Sequence, residues 1–114
     1  MSNRRLVYLS VPYTDPDPAV MEARFMAATR TAGKLLREGF IVFSPITHGH
    51  PIAKHYGAIR DWETSKELCY TYLALTYKLV VLKLAGWDKS VGVRAEINHA
   101  EYNKLEIEYM DYEG

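Results

Sequence analysis

Two short β-rich runs enclose one long stretch of helical spacing, and this arrangement constrains the fold more than any other feature of the chain. Leu6-Val7-Tyr8-Leu9-Ser10-Val11 is rich in strand-favouring residues and stops at Pro12. From Ala19 to Arg37, apolar residues recur at Val20, Met21, Ala23, Phe25, Ala28, Ala32, Leu35 and Leu36, close to the helical period. Phe40-Ile41-Val42-Phe43-Ser44 is the second β-rich run, stopped by Pro45. Strand, helix and strand within about forty residues make a βαβ unit, whose two strands must be parallel. The loop after the first strand holds Pro12, Pro16 and Pro18, which restrict φ and remove donors. Asp17 is placed to cap the helix and Pro18 to begin it, while Arg37-Glu38-Gly39 end it.

The remainder continues the alternation. Ile46 to Gly57 reads as a loop with His48, His50, His55 and Pro51. Ala58 to Tyr77 reads as a helix, with Trp62, Leu68, Tyr72, Leu73 and Leu75 on or near one face. Leu79 to Leu84 is the third strand, and Ala95 to Lys104 a further helix. Leu105 to Met110 alternates charged and apolar residues, as a final edge strand does, and the acidic tail is expected to fray. Residues 1–114 therefore read as a single α/β domain, a parallel sheet with helices on both faces.

Composition narrows the function classes. The formal charge is zero, so no basic excess points to a nucleic-acid polymer. Neutrality and nine tyrosines favour self-association, or a pocket that stacks a nucleobase. Cys69 is the sole cysteine, which rules out an internal disulfide and fits a reducing compartment. Met1 to Arg5 is polar, and the apolar run that follows is too short for a signal peptide or membrane span. A soluble cytoplasmic protein is the expectation.

The chemistry concentrates in Gly86-Trp87-Asp88-Lys89-Ser90-Val91-Gly92-Val93-Arg94-Ala95-Glu96, between the third strand and the helix after it. Open α/β sheets bind ligands at the C-terminal ends of their strands. A serine, a glycine and free N–H groups near a helix start can hold an anion such as a phosphate. Glu96 lies about a turn further on, either as a reactive carboxylate or as an ordinary acid favouring the helix dipole. Tyr8 is a core tyrosine or a ligand contact; Tyr13, just past the strand end, is better placed to face a ligand. His48 and His50 have no cysteine or acid cluster to support metal ligation, so a polar pocket wall is the expectation and no metal is assigned. Trp62 and Trp87 are core residues, or Trp87 helps close the pocket. A paired-carboxylate mechanism needs a second acid, and Asp61, Glu67 and Asp88 are the candidates. The chain has no nucleophile elbow, Walker loop or full Gly-x-Gly-x-x-Gly.

The order Val7-Tyr8-Leu9-Ser10-Val11-Pro12-Tyr13, then Phe43-Ser44-Pro45-Ile46-Thr47-His48, then Gly86 to Glu96 resembles the nucleoside 2-deoxyribosyltransferase-like superfamily. It is also similar to the nucleoside 5'-monophosphate N-hydrolases within it. The resemblance implies a flavodoxin-like or Rossmann-like three-layer fold of about five parallel strands, assembled as a homodimer or larger homo-oligomer. It implies no cofactor and a nucleoside or nucleoside monophosphate substrate. Glu96 matches the nucleophile that forms a covalent glycosyl-enzyme, Ser90 the serine that binds the 5'-phosphate, and Tyr8 the tyrosine that positions the nucleophile. Gly92, Tyr13, His48 and Trp87 complete the expected binding set. N-glycosidic hydrolysis is the leading expectation; base exchange, and nucleotide binding by a degraded enzyme, are the alternatives. The resemblance departs at two places: Val11-Pro12 stands where the family usually carries Gly-Ser after the first strand, and the family's aspartate, late in the helix before the third strand, falls at or near Cys69 here. Glu67 and Asp61 are the acids available to stand in.

Overall fold

The structure, a computed structural model, describes residues 6–58 and 61–112. Readings that touch Met1 to Arg5, Ile59, Arg60 and the last two residues lie outside it. The apolar runs become strands β1 (Leu6–Ser10), β2 (Ile41–Phe43), β3 (Lys78–Leu82) and β4 (Glu106–Met110). All pairings are parallel and the strand order is β2-β1-β3-β4. This is the flavodoxin-like order with four strands among the described residues, where about five were expected. The connections leave β1 and β3 in opposite directions, so the β1/β3 boundary is the topological switch point.

Alternation along β1 divides the molecule into layers. Val7, Leu9 and Val11 face helix α1 (Pro18–Arg37), burying themselves with Ala27, Ala28, Ala32 and Leu35. Tyr8 faces the other way, into a second core with Leu73 of helix α3 (Trp62–Leu73) and Val93 and Ala100 of helix α4 (Val91–Tyr102). β3 does the same, sending Val80 and Leu82 to one core and Leu79 and Val81 to the other. Burying both faces of β1 and β3 explains why their sequences are nearly continuous apolar runs. β4 and β2 are the two edges among the described strands; on the β4 side, Lys78 of β3 meets Glu106 at 3.6 Å and Glu108 at 2.5 Å across the pairing.

Several boundaries differ from the sequence reading: α3 ends at Leu73 rather than Tyr77, β3 at Leu82 rather than Leu84, and α4 begins at Val91 rather than Ala95, while two further differences have identifiable local reasons. Residues 46–56 do not form a loop: Pro45–Tyr56 is a helix, α2, packed against α1. Ser44 caps it, its Oγ accepting from Thr47 N at 3.3 Å, and Pro45 occupies the first turn, where no N–H is needed. Gly57, at φ 71°, ends it in the left-handed conformation. Pro51 and Gly49 sit inside, and their helix-breaking tendency hid the helix. α3 starts at Trp62 rather than Ala58 because Asp61 caps it, exchanging hydrogen bonds with Thr64. In contrast, Asp17 caps α1 as expected, accepting from Ala19 N at 2.9 Å. No helix among the described residues is long and apolar enough to cross a membrane.

Candidate active site

Ser90 fixes where Glu96 points. Its Oγ accepts from Val93 N at 3.3 Å and starts α4 immediately after a short 3-10 turn, Trp87–Lys89. Glu96 then lies in the second turn. Helical side chains tilt toward the N-terminus, here toward the C-terminal ends of the strands. The carboxylate therefore passes beneath β1. Tyr8 and Ser10, two apart on that strand, share the face it meets. Tyr8 Oη donates to Glu96 Oε2 at 2.5 Å, and Ser10 Oγ donates to Oε1 at 2.5 Å. Both carboxylate oxygens are thus held, by residues 88 and 86 positions away in sequence.

Glu96 is only 4 % exposed and no cation faces it among these partners. Burial pushes its pKa up to about 7, while the Ser10, Tyr8 and Cys69 side chains pull it partly back by favouring the ionised form. Burial, with Glu96 next to it, also holds the Tyr8 phenol well above its ordinary range, so it remains a donor. Cys69 of α3 is buried against the pair, and burial together with Glu96 pushes its thiol up to about 12.

Glu96 lines a cavity of about 430 Å³ over the C-terminal ends of the strands. The first residues of three helices ring it: Pro45 and Ile46 of α2, Trp62 and Glu63 of α3, and Val91 and Gly92 of α4. Helix N-termini carry partial positive charge, so the rim favours an anion. Lys89 and Ser90 are on the same wall. Gly92 has a packing reason as well: a Cβ there would lie 3.2 Å from Trp62 Cε3, so glycine lets the indole close against α4.

Across the cavity a second polar chain runs from the β1–α1 loop to α2 and α1. Tyr13 Oη lies 2.7 Å from His50 Nδ1, and His50 Nε2 lies 2.8 Å from Glu22 Oε1. Phe25 stacks on the His50 ring, centroids 4.4 Å apart. Burial and Glu22 raise the Tyr13 pKa, whereas the His50 hydrogen bond lowers that of Glu22.

Of the residues singled out in the sequence, the structure gathers Glu96, Ser90, Gly92, Tyr13 and Asp61 around the cavity, with Tyr8 directly behind Glu96. Four fall elsewhere, one of them Asp88, which sits in the Trp87–Lys89 turn and does not line the cavity. His48 is exposed on α2, tilted against Phe43; a two-residue step on a helix turns it away from His50, which is the histidine that faces the cavity. Trp87 packs against Tyr109 of the edge strand rather than closing the pocket. Glu67 faces a shallow groove with Lys66, Tyr70 and Thr71 and does not reach Glu96. Asp61 is at the rim, but its carboxylate accepts from Thr64 N and Oγ1, each at 3.0 Å. His50 lines the cavity as the expected polar wall, whereas Ser10 and Glu22 were not in the expected set. Ser10 had a signal, a polar residue two beyond Tyr8 at the strand end; Glu22 had none.

Residues 5–111 match the family model described as domain of unknown function DUF1937. The chain belongs to that family. No curated protein matches the chain. The DUF1937 domain thus takes in all four strands, the Glu96 cluster and the Tyr13–His50–Glu22 chain.

Proposed function

We propose that this DUF1937 domain hydrolyses the N-glycosidic bond of a nucleoside 5'-monophosphate, with Glu96 as nucleophile. The observation that carries the reading is a buried carboxylate, held by the Tyr8 and Ser10 hydroxyls, on the wall of a cavity at the sheet's switch point. Such a carboxylate is poorly solvated and fixed in direction. When ionised it is poised to attack an electron-poor anomeric carbon, and the C–N bond breaks as the ester forms. Water then attacks the ester and frees Glu96. A pKa near 7 keeps a working fraction ionised at neutral pH without making the carboxylate a poor base.

The binding surface supports a monophosphate. A cavity of about 430 Å³ is within the range of small-molecule sites. The helix N-termini and Lys89 favour the phosphate, and the Ser90 hydroxyl, whose oxygen caps α4, keeps its own hydrogen to donate. Trp62 offers an aromatic wall for the base.

The test is base release from a panel of deoxyribo- and ribonucleoside monophosphates beside the free nucleosides. Release is expected from a monophosphate and lost in Glu96→Ala. A variant that cleaves as well as the wild type refutes the mechanism. Cys69 favours a second reading, binding without cleavage: it touches Glu96 where the resemblance expects an aspartate, and a thiol near 12 is a poor acid. Micromolar nucleotide affinity without turnover of any substrate selects it.

A further inference from the structure

Cleavage of a glycosidic bond to a base needs a proton for the leaving nitrogen, and hydrolysis of the ester needs that proton removed from water. The groups first expected to serve are unsuited. Cys69 is already engaged with Tyr8 and Glu96, Glu67 faces another groove, and Asp61 is committed to its helix cap. We propose that Tyr13, aligned by His50 and Glu22, is the acid–base group of this site: it protonates the leaving base and then deprotonates the attacking water. This deepens the glycosidase reading and rests on it.

The geometry carries the assignment. Glu22 can only accept, so His50 Nε2 bears a hydrogen and donates to it over 2.8 Å. With a neutral ring, Nδ1 is then an acceptor, and Tyr13 Oη–H donates to it over 2.7 Å. In that state the phenol oxygen presents lone pairs to the cavity, suited to accept a proton from water. When the ring carries a second proton, Nδ1–H donates to Tyr13 Oη and the phenol hydrogen is released toward the cavity, suited to protonate a base. The same three groups therefore hold two states that differ by one proton, and each state fits one half of the reaction.

The surroundings keep the chain in line. His50 is 8 % exposed, stacked on Phe25, and Lys54 lies 3.9 Å from Glu22 Oε1. Arg24 holds the loop that carries Tyr13, its Nη1 donating to Tyr13 O at 3.3 Å and Thr14 O at 3.2 Å. Both Tyr13 and Glu96 line the one cavity.

The steps balance. In the first, ionised Glu96 bonds to the anomeric carbon and the C–N electron pair leaves with the base. The base takes the Tyr13 hydroxyl proton, and Tyr13 Oη takes the proton of His50 Nδ1, leaving a neutral imidazole. In the second, water bonds to the anomeric carbon as the Glu96 ester bond breaks. One water proton goes to Tyr13 Oη and the Tyr13 proton to His50 Nδ1, which restores the starting state. Tyr13 touches the reacting groups; His50 and Glu22 are positioning residues that act through it.

The experiment compares the monophosphate that the wild type cleaves with the 4-nitrophenyl glycoside of the same sugar phosphate, whose leaving group needs no proton. In Tyr13→Phe, base release is expected to fall about 10²- to 10⁴-fold. A pre-steady-state burst of nitrophenol should persist, and intact mass should show a glycosyl adduct building up on Glu96 because water is no longer activated. Glu22→Gln, at an exposed position that does not threaten folding, should show the same divergence between substrates in milder form. Equal losses on both substrates without an adduct, or unchanged rates on both, overturn the relay alone. A wild type that releases neither base nor nitrophenol overturns the glycosidase reading and the relay with it.

Discussion

Replacing Glu96 with glutamine should abolish a pH-dependent penalty that the wild type carries in its folded state. The side chain has an ordinary pKa of 4.5 when the chain is unfolded and about 7 in the fold, raised chiefly by burial. Between those values the folded state binds the proton and the unfolded state does not. Stability must therefore fall as pH rises through this window, and stay level below 4.5 and above 7 as far as this group is concerned. At about 1.4 kcal/mol per pH unit, the whole passage removes roughly 3 kcal/mol. That is a large share of the ~5–15 kcal/mol that holds a typical domain together. Glutamine has nearly the same shape, never ionises, and can still accept from one of the Tyr8 and Ser10 hydroxyls. Urea unfolding of both proteins at pH 4, 5, 6, 7 and 8 isolates the effect, since every other titrating group is common to the pair. The difference between the two curves should shift by roughly 3 kcal/mol in favour of Glu96→Gln from pH 4 to pH 8. Parallel curves would mean that Glu96 is solvated, and the account of the site would fail.

Other expectations follow from the same geometry. Tyr8→Phe and Ser10→Ala each remove a hydrogen bond to the ionised carboxylate, so each should raise the Glu96 pKa further, by about one pH unit or more; carbon NMR titration of the carboxyl reads this directly, and an unchanged midpoint refutes it. If Glu96 is the nucleophile, kcat/KM should fall as pH is lowered below about 7 and the carboxylate takes up its proton, and the absence of that acid limb contradicts the role. Gly92→Ala would put a Cβ 3.2 Å from Trp62 Cε3 and push the ring aside at the cavity wall, so nucleotide affinity should weaken in titration calorimetry, and unchanged affinity refutes a role for that contact. Leu73→Ala, at a site 1 % exposed in the core beneath Tyr8, should cost about 2–5 kcal/mol while leaving the cavity rim in place.

The acid's position is legible because its determinants are local. A strand end followed by a helix start places the glutamate at the mouth of the sheet; that Ser90 caps α4 and starts it at Val91, before the expected Ala95, is visible only in the structure. α2 was illegible because local signals conflict there: Ser44 and Pro45 begin a helix, while Gly49 and Pro51 argue against continuing it, and packing on α1 resolves the conflict. His48 and His50 show the consequence. Read as loop residues they are equivalent, but on a helix they point in different directions and only His50 meets the cavity. The expected fifth strand came from the resemblance alone; every β-rich run in the described residues is accounted for by four.

By itself, the sequence determined an α/β chain with parallel strands and the helix that carries Glu96, because spacing of two or 3.6 residues acts over a few positions. Tertiary structure alone decided which groups meet there. Tyr8 and Ser10 reach Glu96 across more than eighty residues, and Tyr13 meets His50 across 37. Those encounters depend on strand order and on the faces that the sheet turns to each helix. Burial against them, rather than any local pattern, moves Glu96 from an ordinary surface acid to one that titrates near 7.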